Sequence, residues 1–294
     1  MSTLRLPGRR LWQDFVRAPG ALVGLLALIT LLFAALLAPW IAPQNPYDLL
    51  QLDVLDARLP PGSLAGNGAF HYWLGSDGQG RDLVSGILYG LRISLAVGIG
   101  SALLAALLGT LLGLLAAYAG GLVEAAVMRL VDLILAFPSI LVALLLLALL
   151  GKGLGNVVLT LVIVEWAYYA RTARGQALVE SRLEYIEAAR GLGLPGWRIV
   201  LRHLLPNCLP PLLVIAMLQI ARAITLEATL SFLGLGAPVT EPSLGLLIAN
   251  GYGYLLSGDY WISLYPGLAL LATLLALNLV GDRLRELLDP RAMP

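Results

Sequence analysis

Glu187-Ala188-Ala189-Arg190-Gly191-Leu192-Gly193, running on through Trp197 to Leu205-Pro206-Asn207, is a polar, arginine-bearing segment between long apolar runs. Ser181-Arg182-Leu183-Glu184 before it fits a capping box, in which the serine caps backbone amides and the glutamate reaches back. The pattern predicts a short helix to about Leu192. Gly191 and Gly193 end it, because glycine accepts a left-handed backbone cheaply. Pro195 suits the first turn of a second helix, which is expected to end near Pro206. Ala188 and Ala189 leave a bald patch where another surface can approach closely, flanked by the charges of Glu187 and Arg190. The segment therefore reads as a docking helix through which a separate motor pulls on the flanking helices. The alternative is a solvated, well-capped loop, and the rigid two-helix build argues against it.

Outward from this segment the chain reads as an all-α integral membrane protein with six transmembrane helices. Hydrophobic residues make up 59% of its 294 positions and charged residues 13%, against about 25% charged in a soluble domain. Apolar runs at 18–43, 93–119, 123–150, 154–170, 209–232 and 261–281 are each near the length that crosses a bilayer. The first is too long for the core of a signal peptide and is read as retained. Residues 44–90 form a loop broken by Pro46, Pro60-Pro61, Gly62, Gly66 and Gly68. Its aspartates, Asp48, Asp53, Asp56, Asp77 and Asp82, read as a solvated acidic surface. Within a second loop, residues 243–256 read as a short interfacial or re-entrant helix. Two units follow: residues 1–92, with the tail, first span and long loop, and 93–294, a five-helix core carrying the docking segment at about 181–207.

Basic residues set the orientation. Arg5, Arg9, Arg10, Arg17, Arg171, Arg174, Arg182, Arg190, Arg198, Arg202, Arg283, Arg285 and Arg291 fall on one side, against Arg58, Arg81 and Lys152 on the other. Both termini and the docking segment are therefore expected in the cytoplasm. Trp73, Trp261 and Tyr265 read as interfacial anchors.

Charges within the spans are costly and need partners. Arg129 and Asp132, three residues apart, are expected to pair. Glu165 is expected to pair or to snorkel. Arg222 and Glu227, five residues apart, are poorly placed to pair with each other, and they are the candidates for a translocation pathway. For Glu227 a pathway wall and a structural contact both remain open.

Several functions are excluded. The single lysine, Lys152, is followed by glycine, so the phosphate-cradling G-x-x-x-x-G-K-[ST] loop of an ATPase is missing. One cysteine, Cys208, allows neither an intrachain disulfide nor a CxxC site, and His71 and His203 lack metal-ligand spacing. No metal site, catalytic residue or nucleic-acid patch is expected. A stand-alone ion- or proton-coupled transporter and a membrane scaffold are the competing classes.

Glu187-Ala188-Ala189, Gly193 and His203-Leu204-Leu205-Pro206 together resemble the EAA loop of ABC importer permeases. His71-Tyr72-Trp73-Leu74-Gly75-Ser76-Asp77, Gly80-Arg81-Asp82, Arg92-Ile93-Ser94-Leu95, Ser231-Phe232-Leu233-Gly234-Leu235-Gly236, Asn278-Leu279-Val280-Gly281-Asp282 and Asp289-Pro290-Arg291 resemble the dipeptide/oligopeptide/nickel class. The chain is similar throughout to the second, C-type permease subunit of that class. That resemblance implies a type I importer fold in a bacterial inner membrane and a second, homologous permease subunit. It also implies two cytoplasmic ATPases that bind ATP and magnesium, and a periplasmic or lipid-anchored substrate-binding protein. ATPase coupling would fall to Glu187, Ala188, Ala189, Arg190, Gly191, Gly193 and Pro206. The cargo would be di- or oligopeptides, or else nickel, a metal chelate or glutathione.

Overall fold

The computed structural model describes residues 7–236, 238, 241 and 243–288. The Asp289-Pro290-Arg291 motif lies outside them. Among the described residues, eleven α-helices occur in the order α1 (Pro7–Val16), α2 (Pro19–Ile41), α3 (Leu83–Ala119), α4 (Gly121–Ala136), α5 (Ser139–Leu150), α6 (Leu154–Glu180), α7 (Glu184–Gly191), α8 (Gly196–Ile199), α9 (Leu205–Phe232), α10 (Leu244–Tyr252) and α11 (Trp261–Leu288). Strands β1 (Ser63–Leu64) and β2 (His71–Tyr72) form one small antiparallel hairpin. Four helical stretches are long and apolar enough to cross a membrane: α2, α3, α8 through α9, and α11. The α4–α5 pair is a fifth if its two arms form one span.

The third expected span is not straight. α4 and α5 meet at a 96° bend. Phe137 precedes Pro138 and is pushed into extended backbone, at φ −99° and ψ 147°. The fourth expected span, α6, runs on to Glu180, well beyond residue 170. Glu165, Arg171 and Arg174 interrupt its apolar character.

α3 and α6 form the most extensive helix pair in the bundle. Gly109 and Gly113, one turn apart, let the backbones touch. A Cβ at Gly109 would collide with the Trp166 carbonyl oxygen, and one at Gly113 with the Ala170 carbonyl oxygen. Buried Ala105, Ala170, Ala173 and Ala177 continue this small-residue seam. Small residues at such spacing permit close packing where lipid supplies no hydrophobic drive. With 37 residues rising 1.5 Å each, α3 is about 55 Å long, far more than a ~30 Å hydrocarbon core. It passes through residue 92 without a break, so that expected unit boundary marks a change of composition inside one helix.

The 44–82 loop is a folded cap. Three of its five aspartates are not solvated as expected: Asp56, Asp77 and Asp82 are buried, whereas Asp53 is exposed. Asp56 accepts hydrogen bonds from the Gly66 amide and the Tyr72 hydroxyl, at 3.0 and 3.1 Å. Asp77 accepts from the amides of Gln79 and Arg81. Asp82 caps α3 by accepting from the Ser85 amide at 2.7 Å. Burial raises the carboxyl pKa of Asp77 and Asp82, and these hydrogen bonds offset part of that rise. Trp261, expected as an interfacial anchor, is also buried, and its indole N–H donates to the Ser76 carbonyl. The loop is thereby fixed to both α3 and α11.

Candidate coupling segment and interior charges

α7 holds the expected docking residues, with three differences from the sequence reading. Ser181 does not cap it. Ser181 closes α6, its hydroxyl donates to the Leu178 carbonyl, and Leu183 at the N-terminus of α7 makes no side-chain cap. The capping box fails because α6 continues as far as Glu180. Ala188 and Ala189 also differ in environment: Ala188 is exposed, whereas Ala189 is buried in the core with Ile186. The third difference concerns the second helix, which does not stop at Pro206. Gly196–Phe232 is one continuous 37-residue helix.

The C-terminus of α7 follows from glycine. Gly193 sits at φ +70°. Its amide donates to the Arg190 carbonyl, and that of Leu194 donates to the Ala189 carbonyl. This is a Schellman cap, and Leu194 packs back on the core beside Ala189. Within the long helix, Val200–Leu204 is a π turn whose closing bond runs from the Leu205 amide to the Val200 carbonyl. Pro206 has no N–H to offer the Arg202 carbonyl, and its ring would crowd that carbonyl. Widening one turn accommodates both effects.

Side chains brace the segment. Ile186, Ala189, Ile199, Leu204 and Cys208 share one core cluster with Trp166, Ala170, Ala173 and Ala177 of α6. The Tyr185 hydroxyl donates to Glu180 at 2.8 Å and accepts from Asn207 at 2.9 Å. Desolvation and the Glu180 carboxylate both push that hydroxyl's pKa up. α7 is thus fastened to the end of α6 and the start of α9. Glu187, Ala188, Arg190, Gly191 and Gly193 remain exposed, joined by Leu192 (80% exposed) and Trp197 (68%). Two large apolar side chains are thus left open beside a helix anchored from inside. No periodicity in the sequence singles out Leu192.

The interior charges are arranged differently from the expectation. Asp132 pairs with Arg171 of α6, not with Arg129, and Glu124 pairs with Arg174. Both bridges join α4 to α6, where an intrahelical pair would have joined nothing. Glu165 neither pairs nor snorkels. It is fully buried, and neither carboxylate oxygen has a hydrogen-bond partner among the described residues. Arg222 donates to the Ser139 hydroxyl at 3.0 Å and stacks over the Tyr168 ring at 4.5 Å. It therefore ties α9 to the first residue of α5, directly after the 96° bend.

Glu227 is a fully buried node. It accepts from Ser94 of α3 at 2.8 Å, from Ser231 at 2.7 Å, and from Ser243, the N-cap of α10. Ser94 in turn accepts from the Leu244 amide. Three helices meet on one carboxylate. Truncation in Glu227→Ala would strand buried hydroxyls, each costing about 1–3 kcal/mol. The purified protein is expected to melt several degrees lower, with Glu227→Gln intermediate. Equal melting of wild type and Glu227→Ala would show that the node contributes nothing.

A bundle of apolar helices with a braced, amphipathic helix pair on one end has the build of a transporter's membrane subunit. Residues 109–294 match the family described as binding-protein-dependent transport system inner membrane component, and residues 7–61 match the N-terminal transmembrane domain of oligopeptide transport permease C. The chain belongs to this family, as a C-type permease subunit of the dipeptide/oligopeptide class of ABC importers. It is 39% identical over 285 residues to the di/tripeptide transport system permease protein DppC of Pseudomonas aeruginosa, covering 97% of this chain and 92% of that one. It is 41% identical to the dipeptide transport system permease protein DppC of Escherichia coli K12, covering 97% and 93%. The glutathione transport system permease protein GsiD of Pectobacterium atrosepticum is 38% identical, with 98% and 93% covered. In fold, the chain is similar to a chain of the inward-facing MetNI methionine ABC transporter, with a TM-score of 0.55 and 23% identity over 68% of this chain and 95% of that one.

Proposed function

We propose that this permease subunit imports di- or tripeptides across a bacterial inner membrane, and that α7 is the face on which its ATPase docks. One observation carries the reading: α7 is anchored inward through Ile186 and Ala189 while it presents Glu187, Ala188 and Leu192 outward. A surface must be both stiff and accessible to convert a partner's movement into helix movement, and this one is both.

In this reading six spans cross the bilayer: α2, α3, the bent α4–α5 pair, α6, α8–α9 and α11. The termini and α7 face the cytoplasm, in line with the bias of basic residues. The complex holds a second homologous permease, two ATPases that bind ATP and magnesium, and an extracytoplasmic binding protein. Coupling is assigned to Glu187, Ala188, Arg190, Gly191 and Gly193. Ala189 supports that surface from inside, and exposed Pro206 acts through the widened turn that precedes it. Arg222 is retained as a pathway candidate because it is only partly buried and adjoins the α4–α5 bend. Glu227 acts as the structural node described above. The peptide cargo follows from the similarity to the two DppC proteins. Glutathione, itself a small peptide, is the second reading and follows from the similarity to GsiD. Nickel or a metal chelate is the third.

Reconstitution of the chain with its co-purifying subunits in liposomes tests this reading. Labelled dialanine is expected to accumulate only with ATP inside and the binding protein outside. Uptake by the chain alone, driven by a proton gradient, would replace this reading with a secondary transporter. Preference for glutathione or nickel over dialanine would reassign the cargo.

A further inference from the structure

A recess of about 560 Å³ opens beside the N-terminal third of α3. That volume lies within the range of small-molecule sites, about 300–1,000 Å³. Tyr89, Ile93 and Val97, at helical spacing, form one wall. Tyr47, from the segment after α2, and Glu241, from the segment before α10, form others, and Arg92 lies at the rim. Tyr47 and Tyr89 pack edge to face, with centroids 5.1 Å apart and planes at 85°.

The charges in this recess are unusual. Arg92 and Glu241 line the same space, and neither side chain has an ion pair or hydrogen bond among the described residues. They do not bridge each other, so their charged ends are more than 4.0 Å apart. Burial first, and then the Glu241 carboxylate, push the Tyr47 hydroxyl up to about 12. At neutral pH it is therefore a proton donor and not a third charge. A guanidinium and a carboxylate, separated and unspent, facing one aromatic-floored space, match a molecule that carries both opposite charges. An extended dipeptide is at most about 7 Å long, so its two charged ends can meet groups too far apart to bridge each other directly.

We propose that this recess is a binding site for a small zwitterion, in which Arg92 receives the ligand's carboxylate and Glu241 its ammonium group. The peptide identity of that zwitterion rests on the import reading above. The site itself rests on the recess and its two separated charges. Tyr47 and Tyr89 supply an apolar floor that accepts varied side chains, so recognition is confined to the two termini.

The test uses the assembled complex in nanodiscs, without its binding protein, and saturation-transfer NMR with two probes: dialanine and its N-acetyl, C-amide form. Dialanine is expected to give a signal and the capped peptide none. Arg92→Met and Glu241→Gln are each expected to weaken dialanine binding about tenfold or more, the usual scale for losing a charged hydrogen bond. Arg92 is exposed, which favours assembly of its variant, and the isosteric Glu241→Gln decides the matter if Arg92→Met does not assemble. No dialanine signal from wild type, equal signals from the capped peptide, or unchanged binding by the variants would each overturn the site. ATP-driven uptake, measured separately on wild type, tests the import reading. Dialanine binding that survives failed uptake supports the recess and counts against import alone.

Discussion

Valine at Gly113 is expected to prevent the protein from accumulating in the membrane. Its Cβ would meet the carbonyl oxygen of Ala170 and lie 2.9 Å from the Ala173 Cβ. A side-chain neighbour can rotate aside, but a carbonyl within a helix cannot. Ordinary overpacking costs about 1–3 kcal/mol, and a backbone collision belongs at or above the top of that range. α3 and α6 would have to separate along their length, breaking the seam that also seats α7. Gly100→Ala on the same helix is the control, because a Cβ there meets nothing within 4 Å and alanine favours helix by up to about 1 kcal/mol. Expression and thermal melting of both variants check this expectation. Normal yield and melting of Gly113→Val would mean that α3 and α6 do not need to touch.

The second large effect separates two neighbouring alanines. Ala188→Trp, alone or with Glu187→Lys, is expected to leave the protein folded and to abolish ATP-driven uptake. Both positions are exposed, and surface changes of this kind usually shift stability by less than about 0.5 kcal/mol. A central interface residue, in contrast, is worth about 2 kcal/mol or more of binding, roughly 30-fold in ATPase affinity. Ala189→Trp is expected to do the reverse and to destabilise the fold, because Ala189 lies inside the core with Ile186 and Ile199. Co-purification of the ATPase and melting of the permease report the two effects separately. If Ala188→Trp retains the ATPase and transports normally, α7 is not the docking face.

The two alanines also show how far the sequence could be read. The apolar runs place α2, α9, the end of α3 and the start of α11 closely, since a bilayer demands length and apolarity, but the polar turns that begin α3 at Leu83 and end α11 at Leu288 fall outside them. The small-residue pattern at Glu187–Gly193 located α7. Which alanine faces in depends on what α7 packs against, and nothing local to identical side chains encodes that. Phe137-Pro138 is visible as a dipeptide, but apolar residues flank it on both sides, so the run 123–150 reads as one straight span. Asp56, Asp77 and Asp82 looked solvated because their partners are mostly backbone amides, which leave no mark in a sequence. Ser94, Ser231 and Ser243 converge on Glu227 from three helices, a convergence visible only once α3, α9 and α10 are assembled.

The widened turn at Val200–Leu204 has a mechanical meaning. The rod from Gly196 to Phe232 carries a compliant collar at Val200–Leu204, just past the α7 cap, and Pro210 and Pro211 add a second soft point beyond it. Bending at these points would let the Gly196 end tilt without carrying the stretch that holds Arg222 and Glu227 round as one rigid body.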